Sequence, residues 1–374
     1  MRVLFWSETF WPRIGGVENL AARLLPALQQ RGHQFAVVTW ENIEGPDEIF
    51  YKGIPVYRFP FFSSMQQRGL NLIMKHRDQV AALKNRFRPD LIHINSYGHS
   101  VLFHLSTVIA HQVPALVTLH QTLPGERVER DSLLGHLLRS AAWLNTCSEA
   151  VLAHARQVIP GIIPCSSVIH NALEVPSCKP QPLPFEAPRL FCVGRLVAEK
   201  GFDSALTAFA SVLHCFPKAR LVLVGDGPAR HDLTNRISKL GLATAVEFTG
   251  TVAPETVPEL MNQATIVVIP SRLEGFGLVA LEAALMERPV VAMSVGGLPE
   301  VVRHQHTGLL VEPENTAALA DAVIYLLRNP AAATQMGQAA RLRAQQAFNW
   351  HAHVDAYDNL YEKLVTDSSS TSRC

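Results

Sequence analysis

Two stretches in the second half of the sequence carry charged side chains and glycines whose spacing could hold an anion. Gly194-Arg195-Leu196-Val197-Ala198-Glu199-Lys200-Gly201 directly follows a short apolar strand pattern, Arg189–Val193. Open α/β folds bind anions where a strand ends and the next helix begins. Arg195 can grip a phosphate as a fork and Lys200 as a point charge. A helix start favours an acid, so a lysine there is consistent with a phosphate partner. From position alone, a solvated turn with ordinary surface charges explains the pair equally well. Glu274-Gly275-Phe276-Gly277-Leu278 follows the strand pattern Ile266–Ile269 and Pro270-Ser271. Its two glycines permit a sharp turn with free amides aimed at a sugar or phosphate. Glu282, eight residues after Glu274, falls in the next helix. A carboxylate on a vicinal diol makes two charge-assisted hydrogen bonds, the alternative being a partly exposed helical acid.

Gly225-Asp226-Gly227-Pro228 and Gly296-Gly297-Leu298-Pro299-Glu300 are two further turns after strand patterns. One such loop is ordinary, but four in register along one half of a chain point to a ligand crevice. In the first half, Gly15-Gly16 makes a tight turn beside Glu18, which an exposed helix acid explains as well as a ligand contact. His120 ends the strand pattern Leu116–Leu119, and its place at a strand end sets it apart from the other histidines among 16. No GxGxxG or Walker A motif is present, which counts against a nicotinamide dehydrogenase or an ATPase. No nucleophile elbow appears, and no His/Asp cluster has metal-ligand spacing. The six cysteines are widely spaced without a CxxC pair, so neither a metal cluster nor a disulfide framework is expected.

These residues need strands and helices to place them. Short β-branched or aromatic runs alternate with amphipathic stretches, the pattern of βα units around mostly parallel sheets. Val3–Trp6, Phe35–Thr39, Pro55–Arg58, Leu91–Ile94, Ala115–Leu119, Trp143–Thr146 and Ser167–His170 are the expected strands of the first series. Val17 to Arg31 reads as a helix with Leu20, Leu24, Leu25 and Leu28 on one face, closed by Gly32, and Leu102–His111 also reads as helical. Five prolines between Pro176 and Pro188 mark a linker. The second series has strands at Arg189–Val193, Arg220–Val224, Val246–Phe248, Ile266–Ile269, Val290–Ala292 and Leu309–Val311. Its helices are expected over 200–215, 229–240, 256–263, 278–286 and 316–327. Asn349 to Leu364 is an amphipathic helix, and 367–374 a frayed tail. The expected organisation is a domain over 1–175, a linker over 176–188, a domain over 189–348, a C-terminal helix over 349–366 and the tail.

Composition bounds the class. The 374 residues, 48% hydrophobic and 17% charged, exclude a disordered chain. With 33 Lys+Arg against 32 Asp+Glu the net charge is +1, which excludes nucleic acid as the main partner. The total hides a division, because residues 1–173 hold 16 basic and 12 acidic side chains and residues 174–374 hold 17 and 20. Arg68, Lys75, Arg77, Lys84, Arg86 and Arg88 cluster against Asp78 alone, interleaved with Leu70, Leu72, Ile73, Val80, Leu83 and Phe87. That pattern suits a domain-surface helix packed by its apolar face, or a peripheral membrane contact through 68–88. No stretch is long and apolar enough for a spanning helix. The start shows no signal-peptide pattern, so a cytoplasmic location is expected, with the inner membrane face open as a peripheral site.

In order, the motifs resemble those of the family-four retaining glycosyltransferases, of the glycosyl transferases group 1. The similarity runs from Val3 to Leu364 and is strongest at Gly194–Gly201 and Pro270–Glu300, with the Glu274/Glu282 spacing. The resemblance implies the α/β GT-B fold: two facing Rossmann-like domains with parallel sheets, the nucleotide-sugar donor on the second and the acceptor on the first. The C-terminal helix resembles one that crosses back to the first domain. Matched by motif, Arg195 and Lys200 correspond to the pair that clamps the donor diphosphate, and Glu282 to the acid on the ribose hydroxyls. Glu274 and His120 correspond to the acid and the histidine beside the transferred sugar. The backbone of Gly275, Phe276, Gly277 and Leu278 corresponds to the amides at sugar and phosphate. Gly15 and Gly16 with Glu18 resemble the loop over the donor phosphates, and Gly250 and Val252 stand where the base-binding loop begins. Two departures occur: Asn171-Ala172-Leu173-Glu174 replaces a usual Asn-Gly-Val-Asp, and Gln121 rather than glycine follows His120.

The implied activity is retaining transfer of a hexosyl group from a UDP-, GDP- or ADP-sugar to a hydroxyl of a glycan, lipid or small molecule. The nucleotide sugar is a substrate, and neither cofactor nor metal is expected. Arg195 and Lys200 supply the positive charge that the departing diphosphate needs. The alternatives are a nucleotide-sugar epimerase or sugar phosphorylase of the same fold, or a non-catalytic nucleotide-sugar-binding partner protein.

Overall fold

The computed structural model describes residues 1–40, 48–66, 69–125, 128–129 and 131–369. The chain divides into two compact units. One runs from Met1 to His170 and resumes at His351, and the other covers Asn171–Trp350.

In the first unit, β1 (Arg2–Ser7), α1 (Gly16–Gln29) and β2 (Gln34–Trp40) form the opening βα unit. β3 (Glu48–Tyr51), β4 (Ile54–Phe59), α2 (Phe61–Gln66), α3 (Leu70–Phe87), β5 (Leu91–Ile94), α4 (Val101–Ser106) and β6 (Ala115–Leu119) follow. α5 (Leu133–Ser140), β7 (Trp143–Thr146), α6 (Glu149–Val158) and β8 (Ser166–Val168) complete the series. The sheet order is β3-β4-β2-β1-β5-β6-β7-β8, and among the described residues only the β3/β4 pair is antiparallel. Val3, Leu4, Phe5 and Trp6 are all buried, as expected of a central strand covered on both faces. Leu20, Leu24, Leu25 and Leu28 form the buried stripe of α1, and Gly32, at φ +92°, turns the chain after it.

In the second unit, β9 (Arg189–Val193), α7 (Phe202–Cys215), β10 (Arg220–Val224), α8 (Arg230–Lys239) and β11 (Val246–Gly250) come first. α9 (Val257–Asn262), β12 (Ile266–Ile269), α10 (Leu278–Leu285), β13 (Val290–Met293), α11 (Leu298–Val301) and β14 (Gly308–Val311) follow. α12 (Thr316–Arg328) and α13 (Pro330–Ala347) close this unit. Its sheet is wholly parallel, in the order β11-β10-β9-β12-β13-β14.

α14 (Trp350–Ser369) packs into the first unit. Its Tyr357 and Tyr361 are buried: Tyr361 Oη lies 2.6 Å from His93 Nδ1, and Asn145 Nδ2 donates to Tyr357 Oη at 3.1 Å. Arg31 bonds both Asp355 and Asp358, tying the end of α1 to the same helix.

Strand order decides where a ligand crevice opens. In the first unit the connections run from β1 to β2 on one side and resume at β5 on the other, so the order reverses between β1 and β5. In the second unit the reversal lies between β9 and β12. Ligands of open α/β sheets bind outside the carboxyl ends of the strands at such points.

Several expectations need correction. Lys84, counted with the cationic cluster, is buried, with Nζ donating to the His104 carbonyl at 3.1 Å. Val80 and Leu83 are core residues, whereas Leu70 (74% exposed), Leu72 and Met74 stand in solvent at the start of α3. The helix thus presents only its first turns as an apolar surface; Arg68 lies outside the described residues. The helix expected over Leu102–His111 stops at Ser106, where the Thr107 hydroxyl bonds the Phe103 carbonyl at 2.6 Å, and a separate 3-10 turn spans Val108–Ala110. β3, α2, α5, α6 and α13 carry no signal in the expected pattern. α13 buries Ala333, Gly337, Ala340 and Ala344, small residues that raise no hydropathy peak. A side chain at Gly337 would overlap the Glu287 carbonyl, so this helix packs by close backbone approach.

Candidate functional site

The reversal between β9 and β12 brings the loop after β9 against the loop after β12. Lys200 Nζ donates to Glu274 Oε2 at 2.7 Å, and the Ser271 hydroxyl donates to the same oxygen at 3.2 Å. The backbone places both groups. Lys200 ends the 3-10 turn Ala198–Lys200, and Gly201, at φ +64°, turns the chain into α7. A Cβ at Gly201 would overlap the Pro270 carbonyl, so only glycine lets the two loops meet. Arg272 N–H donates to the Glu199 carbonyl at 2.7 Å, and the Arg272 guanidinium reaches the Ala198 carbonyl at 2.7 Å. The same guanidinium grips both Asp203 oxygens, at 2.9 and 2.8 Å, holding that carboxyl below its usual range.

Other glycine turns brace the floor. Leu196 N–H donates to the Asp226 carbonyl and Gly194 N–H to the Val224 carbonyl, both at 2.9 Å. A Cβ at Gly225 would overlap the Gly194 carbonyl. Gly225-Asp226-Gly227, an ordinary βα turn by sequence, is therefore a clamp on the Gly194–Leu196 loop. Gly250, at φ +74°, accepts from Gly225 N–H at 2.9 Å and so joins the same group, while Val252 lies half-buried two residues on. Gly297 N–H donates to the Glu274 carbonyl at 3.2 Å.

Arg195 is exposed, and among the described residues its guanidinium makes no hydrogen bond. Gly275 follows Glu274 in the loop. Gly277, at φ +106°, caps α10, with Leu278 its first helical residue. Phe276 is buried edge-on against Phe348, with ring centroids 5.3 Å apart. Glu282 lies half-buried one turn into α10. The structure therefore gathers Lys200, Glu274 and the Gly275–Leu278 loop, with Arg195 on the loop beside them. The cation and the acid meet each other there, a pairing that no local sequence pattern reveals.

The first unit holds the remaining residues. His120 follows β6, and its Nε2 lies 3.0 Å from Asn95 Oδ1, which joins the loops after β5 and β6. With Nε2–H donating to Asn95, the buried Nδ1 keeps its lone pair and has no hydrogen-bond partner among the described residues. Burial, with His353 nearby, lowers the His120 pKa to about 4, so the ring is neutral at neutral pH. At the start of α1, Gly16 is the first helical residue and Gly15 its cap. Glu18 Oε1 accepts from the Thr9 hydroxyl at 2.5 Å, and a Cβ at Gly15 would overlap the Glu18 carboxylate. The Glu18 carboxylate thus lies against the helix start, the place an anion favours.

Sequence reading missed Glu8, at the reversal between β1 and β5. Its Oε1 accepts from Ser100 N–H at 3.0 Å and from the Ser100 hydroxyl, and burial pushes its pKa up. The signal was an acid directly after a strand, the position that singled out His120. Asp203 and Arg272 were also missed, because the two are 69 residues apart.

Comparison with known proteins agrees with this architecture. Residues 14–175 match the family model Glycosyltransferase Family 4, and residues 179–343 match Glycosyl transferases group 1. The glycogen synthase of Mycobacterium tuberculosis is 28% identical over 397 residues, covering 96% of this chain and 94% of the relative. The alpha-D-kanosaminyltransferase of Streptomyces kanamyceticus is 34% identical over 179 residues, 48% of this chain and 46% of the relative. The sucrose-phosphate synthase of Thermosynechococcus elongatus superposes with a TM-score of 0.82 at 24% identity, over 98% of this chain and 99% of that one. HepE of Anabaena, solved with UDP and glucose, gives a TM-score of 0.80 at 23% identity, over 97% and 99% of the two chains. With both halves matched by models of one enzyme group on a shared two-sheet architecture, the chain belongs to the family-four, group 1 glycosyltransferases of the GT-B fold.

Proposed function

We propose that the chain transfers a hexosyl group, with retention and without a resident metal, from a nucleotide-diphosphate sugar to an acceptor hydroxyl. The observation that carries this is the Lys200–Glu274 pair at the strand reversal of the second unit, a cation for the diphosphate beside an acid for the sugar. The structural neighbour HepE, solved with UDP and glucose, agrees with this reading. Arg195 and Lys200 bind the diphosphate, Glu282 the ribose hydroxyls, and the Phe276–Leu278 amides the sugar and phosphate. Gly250 and Val252 stand at the base, and Gly15, Gly16 and Glu18 belong to the loop over the phosphates. His120 stands beside the transferred sugar as a neutral ring. The first unit takes the acceptor.

In the reaction the bond from the anomeric carbon to the diphosphate oxygen breaks, and the pair of electrons leaves with the phosphate. Arg195 and Lys200 stabilise that charge. The acceptor oxygen bonds to the same face of the anomeric carbon, and its proton passes to the departing phosphate oxygen.

The test is incubation with UDP-, GDP- and ADP-sugars and an acceptor panel, read by NMR. Nucleoside diphosphate released only with acceptor, an unchanged anomeric configuration and full rate in EDTA are the expected results. An isomerised donor without acceptor would move the chain to epimerase chemistry. Donor binding without turnover on any acceptor would make it a binding partner.

The exposed Leu70, Leu72 and Met74 with exposed Lys75 favour a second property, contact of α3 with an anionic membrane. Among the described residues no helix is long and apolar enough to cross a membrane. Co-sedimentation with anionic vesicles is expected at low salt, and its absence there would reject the contact.

A further inference from the structure

The reversal between β1 and β5 in the first unit opens beside a cavity that the motifs do not account for. It has a volume of about 270 Å3 and an almost wholly apolar wall. Tyr97, His99 and Val101 form one side, and Leu133, Leu134 and Leu137 of α5 the other. Leu133 and Leu134 are only half-buried, so the cavity is accessible from solvent. Apolar cavities of ~150 Å3 already admit a benzene ring, so this one takes a ring with a short chain or a folded alkyl segment.

Polar groups stand along one edge. Gly98 lies in the wall, and a Cβ there would come within 2.6 Å of the Glu8 carboxyl carbon, so that carboxyl sits one glycine away. Ser100 holds Glu8 Oε1, while Oε2 has no hydrogen-bond partner among the described residues. Tyr97 stands two residues after Asn95, and Asn95 is bonded to His120. The loops after β5 and β6 are therefore cross-linked beside the cavity by a pair that does not line it.

Resting on the reading that the first unit takes the acceptor, we infer that this acceptor is an amphiphile, with an alkyl or aryl group seated against the half-buried Leu133 and Leu134, over the buried Leu137 and Val101. Its hydroxyl-bearing end then lies toward Glu8 and His120. A fully hydrophilic glycan would leave the leucine wall wet and gain nothing from it. An alkyl or aryl group removes that wall from water and fixes which end of the acceptor faces the polar edge.

Calorimetry of the full chain with methyl and octyl glycosides of glucose, mannose and N-acetylglucosamine, below micelle formation, reads this directly. Each methylene taken into such a wall multiplies affinity about fourfold. The octyl member is therefore expected to bind at least ~10-fold tighter than its methyl counterpart in one or more series. Leu134→Trp, which fills the cavity, and Leu134→Asn, which wets it, are each expected to bring octyl affinity down to the methyl level. The wild-type ratio stands even if a variant fails to fold. Octyl and methyl affinities within about twofold in every series overturn the inference, as does an octyl preference that survives both folded variants. Failure to bind or transfer from any nucleotide sugar overturns instead the proposed function, and leaves the octyl-to-methyl ratio readable.

Discussion

Lys200 Nζ and Glu274 Oε2 stand 2.7 Å apart, joining two loops that are 74 residues apart in sequence. Lys200 is 29% exposed and Glu274 15%, so water screens the pair only in part. On the proposed function, a donor diphosphate draws Lys200 toward itself and frees Glu274 for the sugar hydroxyls. Lys200→Ala is expected to lower kcat/KM at least ~10-fold, since a charged hydrogen bond contributes ~1.5–3 kcal/mol. Glu274→Gln should lower transfer while nucleoside diphosphate alone binds as well or better, because Lys200 is then held less tightly. An unchanged rate in a folded Lys200→Ala enzyme would remove Lys200 from the phosphate site.

Asp203 and Arg272 hold the Lys200 loop in place. Their side chains are 37% and 32% exposed, so the pair itself adds at most ~1 kcal/mol to stability. The Asp203 pKa is lowered, so that contribution is present above the unfolded value of 3.8 and disappears as pH falls through the folded one. Asp203→Asn is expected to raise the donor KM about threefold or more with Tm nearly unchanged, because the fork that fixes the loop is lost. An unaltered donor KM would show that the loop needs no such brace.

Gly201 and Gly296 both have positive φ, and a side chain at either would meet a carbonyl, Pro270 at the first and Glu274 at the second. Gly241 also has positive φ, at +69°, but has open space around it. Gly241→Ala should cost only about 1 kcal/mol, the strain of the conformation itself. Gly201→Ala and Gly296→Ala should cost clearly more, by ~2 kcal/mol or above, and reduce donor affinity. Equal losses at all three sites by urea unfolding would contradict the close loop approach.

Four histidines of the first unit are held neutral by burial: His93 and His104 titrate at about 3, His120 and His353 at about 4. All four lie below the unfolded value of 6.5, so between pH 6.5 and about 4 the unfolded chain binds protons that the folded unit does not. Stability is expected to fall steadily across that window, by up to ~3 kcal/mol for each such group. Urea midpoints that stay flat from pH 6.5 to 4.5 would refute this.

Lys84 works in the opposite range. Burial lowers its pKa from 10.5 to about 7, and among the described residues its ammonium bonds only the His104 carbonyl. Stability should therefore rise with pH between about 7 and 10.5, where only the unfolded chain keeps the proton. Lys84→Met is expected to remove that slope and to stabilise the protein at pH 7. A variant with the wild-type slope would mean that Lys84 does not set it.

Much of this molecule is legible from its residues taken in order. The apolar runs 3–6, 221–224 and 266–269 declare buried parallel strands, because a strand covered on both faces cannot alternate. Gly15, Arg195, Lys200, Glu274 and Glu282 stand out because strand ends and helix starts are local features with local signals. α13 escaped because alanine and glycine pack by backbone approach, which hydropathy does not register. Lys84 escaped because a lysine on an amphipathic stretch reads as surface until the neighbouring helix is in place.

The sequence by itself determined the two βα series, the loops that carry chemistry and the residue types within them, since these depend on neighbours a few positions away. Only the tertiary structure decided that β9 adjoins β12 and β1 adjoins β5, and with that where each crevice opens. Lys200 against Glu274, Arg272 against Asp203 and Glu8 against Ser100 follow from those strand pairings. Each joins residues about 70 to 90 positions apart, and such contacts form only once the loop between them is closed by the packing of a whole sheet.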